Sequence, residues 1–319
     1  MSVAEKLPAE SWLAEHRAEL TGYCYRMLGS PFDAEDAVQE TLVRAWRGYD
    51  RFEGRSSLRS WLYRIATNVC LDARKAADRR ARPMDLAPPS AAGEPLGPPL
   101  PEAWVEPIPD DRLDPADLVV SRETISLAFV AALQRLTPPQ RAVLILRDVL
   151  CLRAREVAEA LDTTVASVNS SLQRARAVMA EREVTAAEPY SPTDPVQRDL
   201  LARYVDAFAR YDVDALIALM HEDITMTMPP FSWWLRGRDQ MRQALLGSDG
   251  SCRRARWLPT VANGLPAFGQ YRADDQGGEY RPFALQVLEV ASGRILATTT
   301  FLDAERLFPL FALPPSLDA

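Results

Sequence analysis

Ten prolines crowd the stretch from Pro83 to Pro115 of this 319-residue chain: Pro83, Pro88, Pro89, Pro95, Pro98, Pro99, Pro101, Pro107, Pro109 and Pro115. Each one fixes φ and removes a backbone donor, so neither a helix nor the centre of a sheet can run through them. The same stretch carries Asp85, Glu94, Glu102, Glu106, Asp110, Asp111, Asp114 and Asp117 against a single Arg112. That composition predicts an extended, mostly unstructured acidic tether over residues 83–118. The chain on its two sides must fold separately, and the length suits two or three domains.

The flanks of the tether are helical in pattern. Within residues 10–82, Ala34, Ala37, Val38, Thr41, Leu42, Ala45 and Trp46 follow the spacing of one buried helical face, with Asp33 as its N-cap. Leu58, Leu62, Ile65, Val69 and Cys70 repeat the pattern after a loop from Phe52 to Ser57, predicting a compact bundle of short helices. Residues 119–184 return to helix as Val119–Leu136, Pro138–Leu150, a short Arg155–Leu161 and a longer Val165–Arg182. The turn Asp162-Thr163-Thr164 between the last two predicts a helix-turn-helix, with Thr164 capping the second helix. After a second linker at 185–195, residues 196–319 open with two helices, Leu200–Arg210 and Asp214–Met220. The β-prone runs Ile224–Met228, Phe283–Val290 and Arg294–Phe301 come next, the last two joined by a turn at Ala291-Ser292-Gly293, which makes an α+β domain.

Charge is distributed unevenly. A net charge of -7 argues against a simple nucleic-acid binder. Yet Arg59, Arg64, Arg74, Lys75, Arg79, Arg80 and Arg82 form one basic stretch before the acidic tether, and Arg153, Arg155, Arg174, Arg176 and Arg182 form another after it. No run of about 18 apolar residues is present to cross a membrane. Met1–Glu10 lacks the pattern of a signal peptide, so the cytoplasm is the expected compartment. Cys24, Cys70, Cys151 and Cys252 are widely spaced, and three of them sit among apolar neighbours, as reduced core thiols do. With only His16 and His221 beside them, no zinc site is expected, and no cofactor is implied.

The segments Asp33–Thr41, Phe52-Glu53-Gly54 and Trp61–Asn68 resemble region two of the sigma-70 family. Leu136–Arg141 with the helix-turn-helix resembles region four. The absence of a region three between them is similar to the extracytoplasmic-function group. The resemblance implies a subunit that carries core RNA polymerase to promoter DNA and performs no catalysis of its own. It implies docking through Asp36, Gln39 and Glu40 on the coiled coil of the largest polymerase subunit, with region four meeting the flap. An acidic helix face suits an arginine-bearing partner.

At the minus-ten element, Phe52, Arg59, Trp61, Arg64, Asn68 and Arg74 combine aromatic faces, an amide and cations, the mixture that unstacked single-stranded bases require. Phe52 and Asn68 match positions of the family's pocket for a flipped base, whose capture offsets unstacking. Trp61 fits core packing equally well. At the minus-thirty-five element the resemblance implies DNA contact by Ser167, Asn169, Ser170, Ser171 and Gln173, with Asn169, Ser170 and Gln173 placed to read base edges and Arg174 and Arg176 to hold phosphates. Some relatives carry arginine where this chain has Asn169 and Ser171, so the two guanine-reading forks of those relatives are absent here. The tether either threads the basic channels of polymerase, as in the family, or simply keeps the linker soluble.

Residues 196–319 resemble the SnoaL-like polyketide cyclase fold, through Tyr204–Phe208, Asp212–Met220, Met228–Phe231 and Trp233–Arg238. That resemblance implies a cone-shaped sheet wrapped on helices. His221, Trp233, Trp234, Trp257 and Phe283 are candidates for a pocket that serves an enzyme or a small-ligand sensor. The other reading makes this domain a regulator that packs on regions two and four in place of a separate anti-sigma factor. A ligand-responsive duplex-DNA regulator that works without polymerase is the rival for the whole chain.

Overall fold

The computed structural model describes residues 9–54, 56–75, 80–100, 104–115, 122–180, 187–248, 253–273 and 279–318. The side chains of residues 9–14, 74, 75, 122 and 123 also lie outside the description, which takes Arg74 and Cys252 out of reach. Contacts divide the chain into two compact units, one of residues 1–80 with 105–184 and one of residues 81–104 with 185–319. Among the described residues no helix is long and apolar enough to cross a membrane.

The first unit begins with α1 (Ala9–Leu28), α2 (Pro31–Gly48) and α3 (Leu58–Lys75). Ser30, not Asp33, caps α2: its hydroxyl accepts the Asp33 N–H at 3.4 Å, with Pro31 preset for the first turn. Asp33 instead accepts a hydrogen bond from Arg80 at 2.9 Å. Ala34, Ala37, Val38, Thr41 and Ala45 bury the inner face of α2. Trp46, expected there, is 63% exposed. It lies about 100° further round the helix than Ala45, past the edge of the apolar stripe. Between α1 and α3, Tyr23 shares a 2.6 Å hydrogen bond with Thr67, and its ring meets the Tyr63 ring edge-on at 5.1 Å. Cys24 and Cys70 are buried beside them, and the Cys70 hydrogen bond together with burial pushes the Cys24 thiol well up. The expectation of core thiols fails for Cys151, which is exposed in a left-handed turn at φ 54°.

The rest of this unit holds α5 (Leu127–Leu133), α6 (Pro138–Leu144), α7 (Ala154–Ala160) and α8 (Val165–Ala180); α4 (Pro83–Leu86) belongs to the second unit. The expected Val119–Leu136 helix is shorter, with 3-10 geometry at Arg122–Ile125 before Ser126 caps α5. Likewise α6 widens into a π turn at Ile145–Val149. Thr164 caps α8, accepting the Ser167 N–H at 3.1 Å.

Arg141 of α6 is 1% exposed and binds carbonyls on both sides of a helix junction. It donates to the Leu133, Gln134 and Leu136 oxygens near its own helix, and also to the Met27 carbonyl at the end of α1. Gln134 completes the clasp: its amide donates to the Arg26 carbonyl at 3.2 Å, and its oxygen accepts from Arg141 at 2.6 Å. The helices before and after the tether are therefore packed together in one unit.

The tether is more ordered than its composition predicts. Its later part joins the first unit. There Glu106 is 8% exposed, accepts from the Ser30 hydroxyl and lies 3.6 Å from Arg80, while its carbonyl accepts from Tyr25 at 2.7 Å. Its earlier part belongs to the second unit, beginning with the one-turn α4 (Pro83–Leu86). Prolines lower the entropy of an extended segment, so docking it costs less than docking a flexible one.

In the second unit, α9 (Pro195–Arg210) and α10 (Val213–Leu219) lie on a seven-stranded sheet. The strands are β1 (Met220–Thr227), β2 (Trp234–Arg236), β3 (Arg256–Ala262), β4 (Leu265–Ala273), β5 (Glu279–Ala291), β6 (Arg294–Phe301) and β7 (Leu317–Asp318). Their order is β2-β1-β6-β5-β4-β3, with β7 on β5 and a single parallel pair, β1 with β6, among the described residues. Two further helices, α11 (Arg238–Gly247) and α12 (Ala304–Leu310), complete the unit. Leu200, Tyr204 and Phe208 of α9 and Leu216 of α10 meet Ile224, Phe268 and Leu288 in one apolar cluster.

Candidate promoter- and polymerase-facing surfaces

Three surfaces carry the residues singled out from sequence. On α2, Asp36, Gln39 and Glu40 are all exposed. Their period places them on the face opposite the buried alanines. Gln39 donates to Glu35 at 3.3 Å and Arg44 donates to Glu40 at 2.6 Å, so the acidic face is partly self-paired and continues into exposed Val43 and Trp46.

On α3, Trp61, Arg64 and Asn68 share one face, with Arg64 and Asn68 exposed and Trp61 half-buried. Phe52 packs its ring 5.0 Å from Trp61 and 6.5 Å from Tyr49, building an aromatic cluster beside that face. Trp61 also lies over Gly48, where an added Cβ would come within 3.3 Å of its ring. Arg59 donates to Glu19 and its guanidinium lies 5.6 Å above the Tyr63 ring. Burial alone would raise Glu19, but the Arg59 and Tyr63 hydrogen bonds and the Arg59 charge hold its carboxyl below the ordinary range. Arg64 reaches to 3.8 Å from Asp162, in the turn of the helix-turn-helix.

On α8, Val168, Leu172 and Ala175 turn inward. Ser167, Asn169, Ser170, Gln173, Arg174 and Arg176 are exposed and Ser171 is half-buried. Arg176 is not free: it donates from Nε and Nη2 to Asp148 of the π turn, at 2.8 and 2.7 Å. That fork and the Gln134–Arg141 clasp join residues that sequence inspection alone did not connect.

The five candidate pocket residues of the second unit have different surroundings. Trp234 on β2 and Trp257 on β3 stand at opposite edges of the sheet order. Trp257 packs edge-on against Phe208 at 4.9 Å within the apolar cluster. Trp234 is 8% exposed and donates its indole N–H to the Ala87 carbonyl of the tether at 2.9 Å. Phe283 lies under the Arg272 guanidinium at 3.2 Å, and the half-buried His221 accepts from the Asp223 N–H at 3.1 Å. Trp233 is buried with no acceptor for its indole among the described residues. Large aromatics in a small sheet domain were drawn into core and tether contacts.

Further hydrogen bonds accompany the Trp234 contact on the earlier part of the tether. Ser90 N–H reaches the Trp234 carbonyl at 2.8 Å, Leu100 N–H the Pro230 carbonyl at 2.7 Å, and Ala92 N–H the Gln240 side chain at 2.9 Å. No group of carboxylates, cysteines and histidines among the described residues could hold a metal ion.

A three-helix module with an acidic outer face, a helix-turn-helix and an α+β domain together define a sequence-reading factor with an added domain. Residues 12–80 match the family Sigma-70 region 2, residues 126–179 Sigma-70, region 4, and residues 201–298 the SnoaL-like domain. Over 314 residues the chain is 46% identical to the ECF RNA polymerase sigma factor SigG of Mycobacterium tuberculosis, covering 95% of this chain and 83% of that one. It is 31% identical to SigJ of the same organism over 238 residues, 72% of this chain and 70% of SigJ. The crystal structure of M. tuberculosis SigJ has the same fold, with a TM-score of 0.60 and 24% identity over 96% of this chain and all (100%) of that one. The chain belongs to the extracytoplasmic-function RNA polymerase sigma factors.

Proposed function

We propose that this sigma factor docks on core RNA polymerase through Asp36, Gln39 and Glu40, and engages single-stranded minus-ten DNA through Phe52, Trp61, Arg64 and Asn68, with Arg59 and Arg74 alongside. The α8 residues Ser167, Asn169, Ser170, Ser171, Gln173, Arg174 and Arg176 engage the minus-thirty-five element. The functional divisions are 10–82, 119–184 and 196–319, joined by linkers at 83–118 and 185–195.

The two promoter elements lie about 25 base pairs apart, roughly 85 Å of duplex at about 3.4 Å per base pair. Arg64 of the minus-ten face lies 3.8 Å from Asp162 in the turn of the helix-turn-helix, far closer than that, so in this reading the clasped unit is a closed state that opens on polymerase. The C-terminal domain sets the balance between states. It acts through the tether and performs no turnover. The observation that carries this reading is the capture of the tether: an indole N–H and three backbone N–H donors fix residues 87–100. A segment held there is withheld from the channels of polymerase.

Trp234→Phe removes one of those donors and keeps an aromatic ring. Limited proteolysis of the full chain should then cut residues 87–100 faster, and run-off transcription with core polymerase should change in yield. Faster cleavage with unaltered transcription would remove the tether from regulation.

A further inference from the structure

We propose that Asp148 is a positioning residue for promoter recognition, holding Arg176 of α8 in the orientation that grips the DNA backbone. The proposal rests on the reading of α8 as the helix that engages the upstream element. The Asp148 carboxylate takes the side edge of the guanidinium, with Oδ2 on Nε at 2.8 Å and Oδ1 on Nη2 at 2.7 Å. A guanidinium has five N–H groups. This fork uses one from Nε and one from Nη2. Both Nη1 protons and the outer Nη2 proton remain; one of the former and the latter form the end-on pair that matches two oxygens of a phosphate.

Position supports the same role. Arg176 lies seven residues after Asn169, nearly two turns of helix, so the two share one flank of α8 within about 20°. Arg176 therefore borders the exposed face that carries Asn169, Ser170 and Gln173. Its partner sits in the π turn Ile145–Val149, 28 residues away in sequence. Such turns are rare and gather at functional sites, because the widened register re-aims side chains. Support of the fold does not account for the pair: Arg176 is 60% exposed, and exposed ion pairs stabilise little.

What the fork supplies is orientation. A long, rotamer-rich side chain is fixed before DNA arrives, so less freedom is lost on binding. The cost is electrostatic, since a carboxylate has been brought close to a polyanion.

These two effects have opposite signs, which makes a decisive test. Promoter binding by the full chain with core polymerase would be measured across a salt series for the natural protein, Asp148→Asn, Asp148→Glu, Arg176→Ala and Asp148→Asn with Arg176→Ala. Simple electrostatics predicts that Asp148→Asn binds tighter. Positioning predicts that it binds roughly three- to tenfold weaker, the scale of one ordinary hydrogen bond, since Arg176 is misaligned but not removed. It also predicts that Asp148→Glu recovers part of that loss, and that Asp148→Asn causes no weakening once Arg176 is alanine. Tighter or unchanged binding by Asp148→Asn overturns the proposal. Asn169→Ala and Gln173→Ala separate the two layers of inference: if both leave binding unchanged, α8 does not read DNA and both fall. If they weaken binding while Asp148→Asn does not, the positioning role alone is lost.

Discussion

Gln134 offers a way to open the sigma factor without touching a DNA- or polymerase-facing residue. It is 2% exposed, and its side chain makes one hydrogen bond to the Arg26 carbonyl and one to Arg141. Only the first crosses between the helices before and after the tether. Gln134→Ala therefore acts on two equilibria by different amounts. In the closed state it leaves the Arg26 carbonyl without that donor, which costs about 1–3 kcal/mol for a buried group. On opening, water satisfies the carbonyl and the penalty disappears. At about 1.4 kcal/mol per tenfold, the open-to-closed ratio should rise roughly 5- to 140-fold. The bond to Arg141 exists in both states, so its loss, about 1.5–3 kcal/mol for a charged partner, lowers unfolding stability without driving opening.

Spin labels at Val43→Cys and Ala177→Cys, in a Cys151→Ser background, would report the distance between α2 and α8 in the free protein. The expected result is a long-distance population in the variant that the parent lacks. A lower melting temperature with an unchanged distance distribution would refute the reasoning, since Gln134 would then support only its own helices.

Asp36→Arg with Glu40→Arg reverses the exposed acidic face of α2 and should abolish pull-down of core polymerase while circular dichroism stays unchanged; retained pull-down removes that face from docking. Asn68→Ala should leave polymerase binding intact and lower transcription from duplex promoters more than from pre-melted ones, and equal losses on both would exclude a role in melting. Glu289, on β5, has its carboxyl pushed up by burial, an effect that Arg82, just before the tether, opposes. Its folded state therefore holds the proton to higher pH than the unfolded chain does. Stability from this group is greatest below the unfolded value and declines as pH rises through the raised folded one. Glu289→Gln should flatten that decline in urea melts taken from pH 4 upward, and an unaltered slope would place the titration elsewhere.

Period made the helices and several strands legible. The Ala34–Ala45 stripe and the β5–β6 hairpin with its Ala291–Gly293 turn needed only local patterns. The errors came where a residue lies at the margin of a pattern. Trp46 is one step past the stripe, and Ser30 won the cap because Pro31 behind it starts the first turn, which already contains Asp33. Long-range pairings left no periodic trace: the parallel contact of β1 with β6, the Asp148–Arg176 fork and the Gln134–Arg141 clasp. The tether was legible as a break in regular structure. Its docking was not, because that depends on an indole N–H nearly 150 residues away, 147 from Ala87 to Trp234. The candidate pocket residues came to different surroundings for a related reason: aromatic content marks apolar surface without telling whether a strand edge, a core or a ligand will cover it.

Gly29, with φ at 76°, ends α1 where three stretches of chain meet. Its carbonyl receives the Glu106 N–H, and an added Cβ would stand 3.4 Å from both Arg80 and Gln134. Domain exchange between relatives inherits this crossing point. A hybrid that takes its promoter-melting helices from one sigma factor and its helix-turn-helix from another must bring matching partners for position 29. Without them the seam is mismatched, and the hybrid loses the resting conformation even when each half folds well alone.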